Sequence, residues 1–364
     1  MFLALKDLRV ARGRFVLVGV VIALVSLLTT LLSGLANGLV DDGISGLRSL
    51  PLTHLALQAG AESSFSRSTL TDTNLGPWEA LAEGGDVEVS PLGVSFFNAK
   101  RDSGETLDIA MFGVAPGSFL APGSVSQADL ADGPGLVLSD EFRADGVEVG
   151  DELTIVGVDA RVRVLGFTPG GSYGHVDIAF SSLATWQSLV YGENAKGRFS
   201  AVAIRSADGA SLASTDKAAG TEVETKVASY AGSPGYSAES ATMALIRGFL
   251  LVISALIVGA FFTVWTIQRT RQIGLLKALG ATNGYVLRDA LGQLAIVLAA
   301  AVLVGAGLAL GIGATVPDEM PFSLHASPVV SSIVALVLLG MAGSLVAVRR
   351  ITSVDPIVAL SVEN

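Results

Sequence analysis

The sequence predicts a polytopic α-helical membrane protein, with four transmembrane helices and an extracellular α+β domain inserted between helices 1 and 2. Three observations predict it. Hydrophobic residues make up 51% of the 364-residue chain and charged residues only 15%, too apolar for an ordinary soluble protein. Long uncharged apolar blocks gather at the two ends of the chain, and a polar stretch of short alternating runs separates them. Basic residues collect beside the ends of the apolar blocks, the pattern that fixes orientation in a membrane.

Composition also excludes function classes. A net charge of −10 argues against a nucleic-acid partner, because phosphate binding needs clustered positive charge. With no cysteine there is no disulfide, no thiolate chemistry and no cysteine metal site. No stretch matches the phosphate-cradling G-x-x-x-x-G-K-[ST] loop, and the H-E-x-x-H and G-x-S-x-G patterns are missing too. The chain is therefore expected to be a non-catalytic subunit with no intrinsic cofactor. Any ATP must be bound by a separate partner.

Taken in order, residues 1–14 interleave Lys6, Arg9, Arg12 and Arg14 with Phe2, Leu3, Leu5, Leu8 and Val10, which predicts a cytoplasmic amphipathic helix on the lipid surface. Residues 15–36, from Phe15 onward, are uncharged and read as transmembrane helix 1. A basic start and apolar centre also suit a signal peptide, but the length and the later spans favour a retained helix. Residues 37–240 form the extracellular domain, about 200 residues and large enough for its own core. Runs at 87–90, 136–138, 153–156 and 162–165 read as strands, and 181–190 and 209–229 as helices. His54 and His175, single histidines there, read as ordinary polar residues.

The second span covers 241–268 and the third 286–316, where Gly305, Gly307, Gly311 and Gly313 favour close helix packing. Residues 317–327 make a Pro-rich outer loop. The fourth span, 328–349, closes on Arg349 and Arg350, and 350–364 form a cytoplasmic tail. By the positive-inside rule both termini are cytoplasmic and the large domain lies outside the cell membrane. Between spans two and three, residues 269–285 are short, basic and amphipathic. On residues alone they fit either an ordinary cytoplasmic turn or a helix that a soluble partner pushes against.

Arg269-Thr-Arg-Gln-Ile-Gly-Leu-Leu-Lys-Ala-Leu-Gly-Ala281 resembles the R-x-R-E-I-G-hydrophobic-hydrophobic-[KR]-A-[LI]-G-A stretch of FtsX/MacB-type (type VII) ABC transporter permeases, with Gln272 where Glu is usual. Two further stretches resemble the same family: the hairpin from Gly150 to Gly157 followed by 162–167, and the ending Asp355-Pro-Ile-Val-Ala-Leu360. The resemblance implies a coupling helix in which Arg269, Arg271, Gln272, Ile273, Gly274, Leu275, Leu276, Lys277, Leu279 and Gly280 meet an ATP-binding subunit. It implies a homodimer in membrane lipid, served by two copies of a cytoplasmic ABC ATPase. Small residues of spans one and three, Ser33 and Gly34 among them, suit either such a dimer or packing within one chain.

Glu239, Met243 and Arg247 recur at i, i+4 and i+8 as span two begins, so they share one helical stripe. A cation two turns into an apolar run is by default a functional-site hypothesis; the alternatives are snorkelling or pairing with Glu239. The family includes haem-exporting permeases of Gram-positive bacteria, the HrtB type, and that resemblance implies Met243 or Glu239 as haem-iron ligand with Arg247 near a propionate. Tyr230, Tyr236, Glu319, Met320 and His325 are further outer-end candidates, each equally at home as a surface or packing residue. Phe261 and Phe262 are expected to face lipid. The expected function is efflux of an amphipathic substrate, haem first, by ATP-driven mechanical coupling. Alternatives are a signalling permease-like subunit that controls an extracytoplasmic cell-wall hydrolase, lipoprotein release, or export of a lipid, peptide or drug.

Overall fold

The computed structural model describes residues 12–124, 127–195, 197–207, 212–268, 270–317, 320–324 and 326–344. The expected surface helix before residue 12, the tail beyond 344, and Arg269, Glu319 and His325 lie outside the described residues. The chain divides into two compact units, Met1–Leu39 with Ser240–Asn364, and Val40–Glu239.

Among the described residues three helices are long and apolar enough to cross a membrane: Arg12–Ser49 at 38 residues, Tyr236–Gln268 at 33 and Asn283–Gly313 at 31. A fourth apolar helix, Ala326–Gly343, is described over 18 residues, about 27 Å at 1.5 Å per residue. The first helix does not stop at 36, where the sequence suggests a break. Asn37, Asp41, Asp42 and three glycines read as a loop, yet Ile44 and Leu47 recur at helical spacing and are buried in the core of the sheet unit.

Several hydroxyls within the apolar helices bond to their own backbone. Thr29 Oγ1 donates to Val25 O at 2.8 Å, Ser254 Oγ to Leu250 O at 2.6 Å and Thr266 Oγ1 to Phe262 O at 2.7 Å, so each polar group is satisfied without water. Close helix crossings use the small residues. Ser26 Oγ donates to Val302 O at 2.9 Å, and a Cβ on Gly305 would overlap the Ala23 carbonyl. Gly259 and Gly343 mesh in the same way, and Gly34 seats the Phe322 ring. Gly34, Gly259, Gly305 and Gly343 are thus used in packing within the chain, while Gly307 and Gly311 face open space. Phe262, expected to face lipid, is instead buried with Val258, Leu298 and Val302 and stacks on Trp265 with centroids 5.1 Å apart. Phe261 packs against this cluster, partly buried.

The second unit is a mixed sheet. Its order runs Thr221–Thr225, His54–Gln58, Ala201–Ser206, Val87–Lys100, Thr106–Val114, Val176–Ser182, Gly135–Ser139, Ala160–Thr168, Glu152–Ile155. The last strand also pairs with the long Val87–Lys100 strand, Ala99 opposite Ile155, so six of the strands close on themselves and leave no edge among them. The hairpin at 152–168 forms as expected, Ile155 opposite Ala160. Of residues 209–229, expected to be helical, those described from 212 onward form a short helix Ala213–Ala219, a strand and a single helical turn Lys226–Ser229. Alternating Thr221, Val223 and Thr225 favour the strand, which pairs with His54–Gln58.

Side chains leave the sheet on alternate faces. Ile109 and Met111 join one core with Leu136 and Leu138, while Ala110 and Phe112 join another with Val137. The Thr106–Val114 strand is thus buried on both faces, a run the alternation rule alone does not reveal. Trp186, on the Leu183–Tyr191 helix capped by Ser182, covers Gly93 and Gly113, which face each other in the ladder. A Cβ on either glycine would overlap the indole.

Candidate functional site

The segment between the second and third long helices is itself helical, Thr270–Ala278. Ile273 and Gly274 are buried, Ile273 within the core of the membrane unit, while Leu275 is 52% and Leu279 77% exposed. Leu275 and Leu279, one turn apart, form an apolar stripe turned to solvent. Gly280, with φ +96°, ends the helix in the left-handed region. Its N–H donates to Lys277 O and that of Ala281 to Leu276 O, both at 3.0 Å. Thr282 then caps the next helix, accepting from Tyr285 N at 3.3 Å. The reversal between the two long helices is therefore a built corner, not a loose loop. Arg271 and Gln272 are exposed and Lys277 and Leu276 partly buried on the same short helix.

In the membrane unit Met243 and Arg247 lie one turn apart, both half-buried. Arg247 Nη2 donates to Asn37 Oδ1 at 2.6 Å and to Ser33 O at 3.2 Å. Its partners are an amide and a backbone carbonyl, so the guanidinium charge is not neutralised by them. Thr30, Ser33 and Asn37 follow one another at helical spacing. Thr30 Oγ1, Ser33 Oγ, Asn37 Nδ2 and Arg247 Nε are all buried without a partner among the described residues. Unsatisfied buried polar atoms are rare and call for a reason. Ser33 and Asn37, each in contact with the guanidinium, carry an unpaired hydroxyl and amide donor, chemistry that suits an incoming carboxylate.

Glu239 belongs to the other unit, where its Oε1 lies 3.0 Å from Nε2 of His175. Nδ1 of the same ring lies 2.9 Å from Asp42 Oδ2, and Asp42 also accepts from Ser172 Oγ at 2.9 Å. Burial works to lower the His175 pKa, but the hydrogen bonds and charges of Asp42 and Glu239 outweigh it and the net direction is up. Asp177, two residues on, is pushed up to about 6, chiefly by burial and then by Glu141, Asp42 and Asp145. On sequence alone His175 reads as an ordinary polar residue, and Asp42 carries no signal of a role. No local signal marks them, since the partners are 133 and 64 residues away from His175.

Tyr230 is a core residue, edge-on to the partly buried Tyr236 at 6.2 Å, and burial pushes its hydroxyl pKa up. Met320 is exposed. Among the described residues no cluster of histidine and carboxylate ligands converges on one point, consistent with Asp42 and Glu239 lying on opposite nitrogens of His175.

Residues 244–356 match the family model described as FtsX-like permease C-terminal. The C-terminal part of this chain is an FtsX-like permease domain. Over nearly its whole length the chain is similar to two proteins named "Putative hemin transport system permease protein HrtB". That of Staphylococcus haemolyticus (strain JCSC1435) is 26% identical and that of Staphylococcus epidermidis (strain ATCC 35984) 24% identical, each alignment covering 99% of both chains. Solved structures with local similarity include the periplasmic region of MacB from Actinobacillus actinomycetemcomitans, at TM-score 0.37 and 12% identity over 52% of this chain and 94% of that one. The extracellular domain of the noncanonic ABC-type transporter YknZ from Gram-positive bacteria gives TM-score 0.33 and 14% identity over 48% and 98%. With its permease domain and several apolar helices of spanning length, this is a multi-pass membrane protein.

Proposed function

We propose that the chain is the permease subunit of an ABC-type efflux pump that expels an amphipathic, carboxylate-bearing substrate of the haem class from the outer leaflet of the plasma membrane. The observation that carries this reading is Arg247, an un-neutralised cation on an apolar helix, bonded to Ser33 and Asn37, residues that themselves carry unpaired buried groups. A propionate there would receive hydrogen bonds that nothing in the chain receives. Met243, one turn away on the same helix, is placed to ligate iron. The hemin-transport name of full-length relatives supports the substrate class.

The work is mechanical. Two copies of a separate ATPase subunit close on ATP and press the exposed Leu275–Leu279 stripe of the coupling helix in each half of a homodimer. Ile273, buried in the membrane core, passes the push to the long helices, which squeeze the outer site and expel the ligand. In this arrangement the chain spans the membrane four times, both termini are cytoplasmic and the sheet unit is extracellular. The chain itself catalyses nothing.

The test is a haem titration of the detergent-purified protein, read by the Soret band, with Arg247→Ala and Met243→Ala alongside. A saturable shifted band that both variants weaken supports the reading. A non-saturable response in the native protein removes haem and leaves another exported amphiphile, or control of an external cell-wall hydrolase, ahead.

A further inference from the structure

In the membrane unit, residues 321–324 run without helix or strand and lie against two of the long helices. Three glycines make the seat: Gly34 and Gly38, one turn apart on the Arg12–Ser49 helix, and Gly313 at the end of the Asn283–Gly313 helix. A Cβ on Gly34 would overlap the tip of the Phe322 ring, one on Gly38 the Pro321 carbonyl, and one on Gly313 both Leu324 and Phe322. The N–H of Ser323 donates to Gly34 O at 3.0 Å. Phe322 is thus a wedge between the two helices, at a level where the glycines of neither offer a side chain. Further along, the same helices meet directly, Ala23 against Gly305 and Ser26 bonded to Val302. The wedge is not needed to join them.

Phe322 and Leu324 stay only half-buried in that seat, so the segment gains part of the burial energy of its apolar side chains and gives up backbone freedom to do so. A flat ring held loosely between glycine faces has the form of a stand-in for a flat ligand. Gly34 and Gly38 each follow a residue bonded to Arg247, namely Ser33 and Asn37. A helix turns about 100° per residue, so the slot and the guanidinium lie on adjoining faces of one helix at one level. We propose that the slot of Gly34, Gly38 and Gly313 takes the planar ring of the exported substrate, and that Phe322 fills it in the resting protein as a built-in competitor. The inference rests on the transport reading and adds where the ring lies and what holds the site shut. A phenyl ring on a short tether competes at an effective concentration of about the millimolar range. Small aromatic acids therefore fail to displace it, whereas a tetrapyrrole, with more apolar area to bury, succeeds. The strap sets a size threshold.

The experiment titrates the full-length protein in nanodiscs with haem, read by the Soret band, beside Phe322→Ala. Removing the competitor raises affinity about tenfold. A second readout keeps Phe322 in place: the chain has no cysteine, so Leu324→Cys carries its one thiol, half-buried in the seat. Saturating haem frees the strap and speeds maleimide labelling of that thiol about tenfold. Should Phe322→Ala fail to fold, the labelling decides. Saturable binding that Phe322→Ala leaves unchanged or weakens, or labelling that haem does not speed, overturns the strap and leaves the transport reading standing. Binding by Phe322→Ala alone supports the strap, with the native site held shut. No saturable binding by either protein overturns both readings.

Discussion

The Nε2 of His175 lies 3.0 Å from the Glu239 carboxylate, and a second carboxylate, Asp42, holds the opposite nitrogen at 2.9 Å. A neutral imidazole has one N–H to give, whereas the imidazolium has two, so two acceptors favour the charged ring. Folding raises the His175 pKa above its ordinary 6.5, and the stability this brings is fully present below 6.5 and lost as pH rises through the folded value. Asp177 acts in the same direction lower on the scale. Its pKa rises from 3.8 to about 6, so its contribution is present below 3.8 and gone above about 6. The melting temperature of the sheet unit should therefore fall in two steps as pH is raised, the first complete by about 6 and the second beginning above 6.5. Asp177→Asn should remove the lower step and His175→Asn the upper one, asparagine being able to keep the φ of +63° at that position. A flat profile in the native protein would contradict the role given to both groups.

Gly93 and Gly113 form the seat of Trp186, and any side chain there must displace the indole. Gly93→Val should cost about 1–3 kcal/mol of stability from overpacking, measured by urea unfolding. The neighbouring Ser95→Val, partly exposed on the same strand, should change stability by less than about 0.5 kcal/mol.

The apolar blocks were legible because a membrane-spanning helix needs many consecutive apolar residues, and no other use explains Tyr236–Gln268 or Asn283–Gly313. The corner at 270–282 was legible from its ordered run of residues. The extension of the first helix to Ser49 was not, since Gly and Asp argue locally for a loop while Ile44 and Leu47 are recruited by packing. Phe262 was misjudged because an apolar helix gives no sign of which face meets protein and which meets lipid. Of the candidate site, Arg247 stood out as a charge in an apolar run. Its partners Ser33 and Asn37 are more than 200 residues away, at separations of 214 and 210, and only the fold joins them.

Lys226 Nζ donates to the backbone carbonyls of Arg48 and Leu50, at 2.5 and 2.6 Å, where the first long helix ends. Those carbonyls have no intrahelical partner, and a cation there also meets the negative end of the helix dipole. Lys226→Met keeps the stem and removes the charge. It should cost about 1–2 kcal/mol and speed amide exchange at residues 46–50, with little effect elsewhere in the sheet unit.

If the exposed stripe of the coupling helix meets an ATPase, Leu275→Asp and Leu279→Asp are cleaner probes than changes at Gly274, which is buried and would disturb packing as well. Both substitutions should leave the melting temperature within about 2 °C of the native value. Each should weaken co-purification of the ATPase at least about tenfold, as loss of a central apolar anchor does. Gly274→Arg and Leu276→Asp should also uncouple ATP hydrolysis, with some loss of stability for the first. Full coupling in both leucine variants would mean that the stripe faces something else.

Asn37 separates the stability of the Arg247 site from its function. Asn37→Asp keeps an oxygen where Arg247 Nη2 donates at 2.6 Å, so the fold should hold or gain slightly. It also neutralises the guanidinium, and an incoming carboxylate would meet a paired cation beside a like charge. Affinity for haem should drop about tenfold or more while the melting temperature is unchanged. Asn37→Leu should do the reverse in part: Arg247 keeps its charge but loses its best acceptor, which costs about 1–3 kcal/mol of stability and leaves the site open to an anion. Haem binding by Asn37→Asp at native affinity would show that the Arg247 charge is not what the substrate meets.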